Sequence, residues 1–494
     1  MGVIKRQTIK GSVYSYLGVA IGFFYTILSI KLLSSEQIGL TAILVAVSAV
    51  YSQFSTLGFT KVIERLFPYF RDKDKNHNGF VFLTIAVGML GFVISLVTFF
   101  ILKPYIIESN QAEVPLLAKY IWYLVPLIFF RMFSVMLDTY NKMLFDATTG
   151  SILSDFVYRV GTLFLLGAFF LNWINFSQFV FGYVVTLCFP AVYLAGLLIY
   201  RKQFNLKPKL EFIHPQLRKE IISLSAYGII GGLSSVALSN IDTIMLGKFY
   251  NLSLTGVYTI SFFFGTIILI PSKALGKISS TIIADAWKDK DMETIEDIYY
   301  KSSINQLFAA LLLFILMVTN LHNIFQMLKP EYITGVWVII LISLSNLIVA
   351  STGSSVQIIG TSHKYKIQTY SMGVLLLLVV IFYMIFIPMW GMNGAALGSL
   401  LSISGASLLR VFYLKQSMNL FPYRMTHVKC VAIGLLAFAV GKIIPVLPFH
   451  FLIDLVVRCS AISVVFIGLC YLLNITDDLN QIIDKTFRIL RIKK

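Results

Sequence analysis

The stretch RKQFNLKPKLEFIHPQLRKE, Arg201 to Glu220, is the longest polar segment between apolar runs, and Pro208 and Pro215 discourage a continuous helix through it. Before it lie six apolar runs, near 11–33, 37–63, 79–102, 116–137, 151–172 and 176–200. After it lie eight, near 221–247, 253–283, 302–325, 332–360, 366–390, 393–417, 428–447 and 450–473. A helix needs about 20 predominantly apolar residues to cross a bilayer, so each run reads as one span and the chain as an all-α polytopic membrane protein with fourteen transmembrane helices. Composition agrees: of 494 residues, 57% are hydrophobic and 13% charged, with a mean hydropathy of +0.82. Soluble domains carry about 25% charged residues. A soluble enzyme, a disordered chain and a nucleic-acid-binding domain are therefore excluded, despite a net charge of +17.

The placement of charge orients the spans. With the N-terminus in the cytoplasm, and residues at span edges counted with the adjoining connection, 28 of the 40 lysines and arginines fall on the cytoplasmic side, four in outer connections, and the remaining eight within spans. This is a strong positive-inside asymmetry, and it predicts both termini in the cytoplasm. Met1 to Lys10 is short and basic, and Gly11 to Leu33 is long enough to remain as a helix, so no cleaved signal peptide is expected. The expected organisation is an N-lobe of six helices over 1–200, a cytoplasmic linker over 201–220 and a C-lobe of six helices over 221–418. Two further helices occupy 419–474, and a basic tail occupies 475–494. Because six is even, both lobes start in the cytoplasm, and the repeats would be parallel about an axis along the membrane normal. The segments Leu32–Leu40 and Leu252–Tyr258 support this, each placing a short polar hinge before an apolar-Gly-apolar helix start. In the tail, Leu479, Ile482, Ile483, Thr486, Phe487 and Leu490 share one helical side. With Lys485, Arg488, Arg491, Lys493 and Lys494 this suits either an interfacial helix on anionic lipid or a solvated tail.

The run KLLSSEQIGLTAILVAVSAVYSQFSTLGFTKVIERLFPYF (Lys31 to Phe70) resembles the first-helix-pair signature of polysaccharide-export flippases. These belong to the multidrug/oligosaccharidyl-lipid/polysaccharide exporter superfamily. Asp242 in NIDTIMLGKF with Gly256–Val257–Tyr258 is similar to that family's motif at the seventh and eighth spans. Ile387–Pro388 with Gly391, Gly394, Ala395 and Ala396 resembles its motif entering the twelfth span. The resemblance implies a V-shaped, two-lobed, MATE-like transporter of Wzx type, not an enzyme and without a cofactor. Its partners would be undecaprenyl-pyrophosphate-linked oligosaccharide, membrane lipids and the polysaccharide polymerase machinery. It would act by alternating access in the bacterial inner membrane, as a monomer. The destination glycan, whether O-antigen of lipopolysaccharide, capsule or exopolysaccharide, is not encoded in these motifs.

The intramembrane charges point the same way. A charge at the bilayer centre costs at least about 2.5 kcal/mol and usually faces protein or water. The basic residues within spans are Lys31, Arg131, Arg159, Lys273, Lys277, Arg410, Lys442 and Arg458; the acids in or near spans are Glu64, Asp138, Asp155, Asp242, Asp285 and Asp454. A cavity lined from this set would be positive. Arginines would grip phosphate oxygens bidentately and lysines would act as point charges. The expected substrate contacts are Lys31, Arg131, Arg159, Lys273, Lys277 and Arg410, with Asp242 either a coupling-ion ligand or a structural part of its motif. Plainer readings stand beside these. Asp155 and Arg159, four residues apart, can neutralise one another; Lys31, Lys442 and Arg458 lie near span ends and can snorkel. Gly18 and Gly22 form a GxxxG pair that suits close helix packing within a lobe. No metal site is expected, because the six histidines are scattered and neither HxxxH nor HExxH occurs, and the absence of a P-loop argues against an ATP-driven pump. The four cysteines form no CxxC pair, so neither a disulfide framework nor a zinc site is indicated. The competing functions are a cation-coupled drug antiporter on the same fold, which would want more intramembrane acids, and a polysaccharide polymerase or ligase, which would want a large outer loop.

Overall fold

The computed structural model describes residues 2–72, 74–108, 114–146, 148–364, 366–446, 448 and 450–489. The side chains of Lys277, Ile482, Thr486 and Phe487 lie outside the described set, as do residues 490–494, so that much of the expected apolar side of the tail is not described. The first half of the chain forms α1 (Gly2–Leu32), α2 (Ser35–Ser55), α3 (Phe59–Phe70), α4 (Phe80–Glu108), α5 (Val114–Tyr120) and α6 (Leu124–Met143). Next come α7 (Thr149–Ile152), α8 (Tyr158–Phe170), α9 (Phe176–Tyr200), α10 (Pro215–Leu238), α11 (Ile241–Phe249) and α12 (Leu252–Thr266). The second half forms α13 (Ile270–Asp289), α14 (Met292–Thr319), α15 (Leu321–Met327), α16 (Val336–Ser351), α17 (Ser355–Thr361), α18 (Lys366–Met418), α19 (Met425–Ile443), α20 (Phe451–Leu472) and α21 (Asp477–Ile489). No strand occurs among the described residues. Twelve helical segments among them are long and apolar enough to span a membrane, and Leu17–Leu32 adds a shorter apolar one. The segment Tyr370–Met418 counts once but turns back on itself. Gly391 sits at φ 57 and ψ −130, and the Tyr383 and Ser399 hydroxyls meet at 2.6 Å. In a straight helix those two residues would stand roughly 24 Å apart. The all-α polytopic fold is thus as read, and the segments are consistent with fourteen spans.

Local chemistry sets the helix ends. Ser34 caps α2 by accepting from the Gln37 N–H at 3.2 Å, while the Gln37 side chain accepts from the Ser34 N–H at 3.1 Å. Asn175 and Gln178 repeat this reciprocal cap at α9, with both bonds 2.9 Å. Three apolar runs that read as single spans are broken. The run 37–63 breaks at Leu57 and Gly58, with φ of 47 and 68, between α2 and α3. The run 253–283 breaks at the tight turn Ile267–Leu269, just before Pro271, and 332–360 breaks at Gly353, with φ 54. Interrupted membrane helices are tolerated where protein or a cavity satisfies the freed backbone.

The chain divides into two compact units, Met1–Gly256 and Val257–Lys494. This division falls after α10 and α11 and not at the 201–220 linker, because α10 packs into the break of the second span. A Cβ on Gly228 would stand 2.3 Å from the Gly58 carbonyl oxygen, and one on Gly232 2.2 Å from the Gln53 side chain. The first unit is built on Phe59, Phe67, Phe70, Phe80, Met132, Met136, Tyr140, Leu194 and Leu198, all buried, from α3, α4, α6 and α9. Also within it, the first turn of α12 crosses the start of α2. The Ser35 and Ser253 hydroxyls are 2.7 Å apart; a Cβ on Gly39 would lie 1.8 Å from the Leu252 carbonyl oxygen, and one on Gly256 1.9 Å from that of Ser35. The contact is reciprocal, as the internal similarity of these two segments suggests.

The second unit packs α14, α19 and α20 around Ile304, Leu307, Ile315, Cys430, Ala437, Phe466 and Cys470. A second cluster joins α13, α14, α17 and α18 through Ile283, Tyr299, Ile358 and Leu414. Arg458 does not snorkel. It is 5% exposed, paired with Asp454, and its Nη1 donates to the carbonyls of Gly441 at 2.7 Å and Ile444 at 2.9 Å. Asp454 also accepts from the Asn323 amide at 2.6 Å. A buried pair with its remaining donors satisfied ties α20 to the end of α19 and to α15, and breaking such a pair costs about 3–5 kcal/mol.

In the loop after α6, Asp146 accepts from Arg201 Nη2 at 2.7 Å and from the Thr149 hydroxyl at 2.8 Å, tying the end of α9 to the start of α7. Burial alone would raise the Asp146 pKa, but the hydrogen bonds from Arg201 and Thr149, with the Arg201 charge, hold it below the ordinary carboxylate value. A depressed folded-state pKa means the stabilisation is present above the unfolded value of about 3.9 and is lost as pH falls through the folded value. Asp146→Asn should therefore lower stability by about 1–2 kcal/mol at pH 7. The gap to wild type should narrow below about pH 4. Thermal unfolding in detergent across pH checks this; a gap that widens on acidification would refute it.

Candidate functional site

Within the first unit, two arginines from different helices meet three tyrosines. The entry to α8 is a wide turn at Leu153–Val157, closed by backbone bonds one residue longer than those of an α-helix. Such a turn inserts an extra residue, rotates the succeeding residues around the helix axis and is frequent at functional sites. The residues rotated here are Tyr158 and Arg159. Arg159 Nη1 donates to the Gly18 carbonyl at 2.6 Å. The room for it comes from the GxxxG pair: a Cβ on Gly22 would lie 2.4 Å from Arg159 Nη1, and one on Gly18 2.2 Å from the Asp155 carbonyl oxygen. The pair therefore packs α1 against α8 and its entry turn.

Arg131, from α6, donates through Nη1 to the Val45 carbonyl at 2.9 Å and to the Ser48 hydroxyl at 3.0 Å, both on α2. Tyr158 and Tyr183, from α8 and α9, share a hydrogen bond at 2.8 Å. Tyr25 of α1 lies close enough to both for their hydroxyls to interact electrostatically. The guanidinium groups of Arg131 and Arg159 both lie within electrostatic range of the Tyr158 hydroxyl. The site thus draws on α1, α2, α6, α8 and α9. Each arginine is half-buried and held through one terminal nitrogen; among the described residues its Nε and Nη2 make no hydrogen bond, and they are not sealed from solvent. A guanidinium carries five donors in a planar fork suited to phosphate oxygens. Two such groups around three phenolic hydroxyls can hold an anion with several charged oxygens and present flat rings beside it.

The other expected site residues are placed differently. Lys31 is exposed in the last turn of α1, and Lys273 is exposed on α13; the Lys277 side chain lies outside the described residues. Arg410 belongs to the second unit and is buried. Asp242 is buried in the first turn of α11, where its Oδ1 accepts from the Thr243 N–H at 2.7 Å, and a carboxylate there also meets the favourable end of the helix dipole. Among the described residues no group of three or more His, Cys, Asp or Glu could hold a metal ion. The second unit has an apolar cleft of about 570 Å³ beside Leu307, Leu347, Tyr423, Arg424, His427 and Leu435. Its polar rim is occupied internally: His427 Nδ1 accepts from the Arg424 N–H, so Nε2 donates to Ser303 at 3.0 Å, while Arg424 pairs with Glu296 at 3.3 Å. The arginine pair of the first unit differs in having donors to spare. The sequence reading missed the tyrosines, although Tyr158 adjoins Arg159 and Tyr183 is one of few polar side chains in its run.

Residues 5–276, which include every residue of this site, match the family model described as polysaccharide biosynthesis protein. The chain belongs to that family. No curated protein matches it by sequence. Among solved structures, this family member is similar to "Lipid II flippase MurJ, inward closed conformation", at 14% identity and a TM-score of 0.74, over 95% of this chain and 100% of the other. It is also similar to an inward-facing multidrug resistance MATE transporter of the MOP superfamily, at 12% identity and a TM-score of 0.65, over 81% of this chain and 94% of the other. A third is a MOP superfamily transporter from Pyrococcus furiosus, at 12% identity and a TM-score of 0.52, over 84% and 96%. At such identities the likeness is one of fold: this is a multi-pass membrane protein with the fold of flippases and transporters.

The glycine pair gives a graded test of the packing that positions Arg159. Gly18→Ala meets a backbone oxygen and forces α1 away from the entry of α8, at a cost of about 1–3 kcal/mol. Gly22→Ala meets the movable end of Arg159 and should cost less. Thermal unfolding of the two variants should rank Gly18→Ala as the less stable, and the reverse order would contradict this packing.

Proposed function

We propose that this chain is a lipid-linked oligosaccharide flippase. In this reading it moves undecaprenyl-pyrophosphate-linked repeat units from the cytoplasmic to the periplasmic leaflet of a bacterial inner membrane, by alternating access. The observation that carries the proposal is the Arg131–Arg159 pair, with unspent donors beside Tyr25, Tyr158 and Tyr183. A diphosphate offers several charged acceptor oxygens, and two guanidinium groups match it in charge and hydrogen-bonding geometry. The family match and the flippase fold support the reading.

Lys273 and Lys277, toward the cytoplasmic end of their span, would draw the headgroup out of the cytoplasmic leaflet as point attractions, and Lys31, at the outer end of the first span, would add positive charge farther along the route. Asp242 serves α11 structurally or ties an ion to the cycle. The 28-to-4 charge asymmetry supports cytoplasmic termini. The crossing of Ser35 and Gly39 with Ser253 and Gly256 then lies on the outer side, where it has to part for release.

In a bacterium depleted of its own flippase, the wild-type chain should restore surface polysaccharide. Arg131→Ala and Arg159→Ala, at equal protein level, should lose at least about ten-fold, since a charge-assisted hydrogen bond is worth about 1.5–3 kcal/mol. Lipid-linked oligosaccharide should build up in the inner leaflet. Wild-type polysaccharide in both variants would reject the site. Joining Ser35→Cys to Ser253→Cys by oxidation should stop translocation until reductant is added, whereas full activity in the oxidised form would reject opening at that crossing.

A further inference from the structure

The apolar cleft of about 570 Å³ in the second unit is left unused by the flippase reading. On the α19 side it is lined by Arg424, His427, Val428, Val431, Ala432 and Leu435, whose three- and four-residue spacing is that of one helix face. Leu307 of α14 and Leu347 and Ile348 of α16 form the facing walls. Val428, Val431 and Leu435 are exposed, so at membrane depth the cleft stands open to lipid. From Arg424 to Leu435 a helix rises roughly 16 Å, close to half of a hydrocarbon core about 30 Å thick. The cleft therefore runs the depth of one leaflet, from a charged rim inward. With the termini in the cytoplasm, as proposed above, that leaflet is the cytoplasmic one.

The rim carries one charge of each sign. Along α14, Glu296 pairs with Arg424 at 3.3 Å, the Tyr300 ring lies 4.2 Å beneath the Arg424 guanidinium, and Ser303 meets His427 at 3.0 Å. Deeper in, the Ser351 and Tyr423 hydroxyls satisfy one another at 3.2 Å. Lys429, the next cation along α19, lies off the cleft. The side chains of Arg424 and Glu296 are both half exposed. An ion pair so placed contributes little, and it can part for a ligand that brings the opposite charge to each member. A hydrocarbon chain gains little by leaving lipid for an apolar wall, because lipid tails are as apolar as leucine. The headgroup therefore decides which lipid stays. We propose that the cleft holds one acyl chain of a zwitterionic phospholipid with a primary ammonium, of the phosphatidylethanolamine type, its phosphate on Arg424 and its ammonium on Glu296. The second chain remains in the bilayer. A guanidinium suits phosphate oxygens, whereas a headgroup with phosphate alone would leave Glu296 facing a like charge. A quaternary ammonium has no N–H to donate to that carboxylate. An undecaprenyl chain, several times longer than one leaflet is deep, would overrun the cleft.

The test uses the purified full chain, delipidated in detergent, with thermal unfolding followed as phosphatidylethanolamine, phosphatidylcholine or phosphatidylglycerol of identical chains is added. Phosphatidylethanolamine should raise the midpoint to saturation, and the other two should raise it less. Val431→Trp, which fills the cleft from an exposed wall, should remove that advantage. Glu296→Gln, at the half-exposed rim, should erase the preference over phosphatidylcholine, while Lys429→Gln should keep it. Native mass spectrometry should find one phosphatidylethanolamine retained on the wild-type chain and lost from Val431→Trp. Equal midpoints in the three lipids, or a preference that survives in Val431→Trp or in Glu296→Gln, would overturn the proposal. So would a larger response to phosphatidylglycerol, or displacement of the retained lipid by undecaprenyl diphosphate, which would make the cleft a seat for the transported lipid. No readout here requires flipping, so failure of this site leaves the proposed function standing, and the reverse.

Discussion

A cation placed at membrane depth has to be met by something, and this chain meets the requirement in three ways. Arg458 is satisfied within the fold, by Asp454 and by the carbonyls that close the end of α19. Arg131 and Arg159 are only steadied, each by one nitrogen on a backbone carbonyl of a neighbouring helix, and keep donors in hand. Arg410 is largely buried, and among the described residues no acid pairs with it. The number of donors already spent, more than the presence of charge, separates the structural arginine from those free to bind.

The arginine pair depends on small departures from regular helix. Without the wide turn at Leu153–Val157, Arg159 would be rotated about the α8 axis away from Gly18. Without Gly18 and Gly22, α1 could not approach closely enough to offer its carbonyl. The break at Leu57 and Gly58 likewise gives α10 its seat, which fastens the chain beyond the polar linker to the first unit. Irregular backbone inside a membrane is costly unless something satisfies it, and here the break at Leu57–Gly58 coincides with a close packing contact and the wide turn at Leu153–Val157 with the candidate site.

Much of this was legible in the sequence. The apolar runs, their break at Arg201–Glu220 and the charge asymmetry gave the span pattern, because length and polarity are read one residue at a time. Arg131 and Arg159 stood out because a charge in an apolar run is costly wherever it faces. What could not be read depends on which helices touch. The Tyr158–Tyr183 bond joins two spans and Arg131 reaches a third, while the burial of Arg458 depends on carbonyls some 13 to 17 residues away in sequence. Position near a span end suggested that Arg458 snorkels, yet an acid four residues earlier made burial the better solution. Leu153–Val157 carries no glycine or proline to announce its wider winding.

The most direct measurement of the central claim is translocation in a defined membrane. The purified chain would be reconstituted into vesicles with undecaprenyl-diphosphate-linked oligosaccharide in one leaflet, and transfer followed by an enzyme or label confined to the other side. The proposed mechanism predicts transfer that rises with the amount of wild-type protein and is competed by undecaprenyl diphosphate without the sugar, because the arginine pair grips the diphosphate. Transfer no faster than in protein-free vesicles, or transfer indifferent to that competitor, would contradict it.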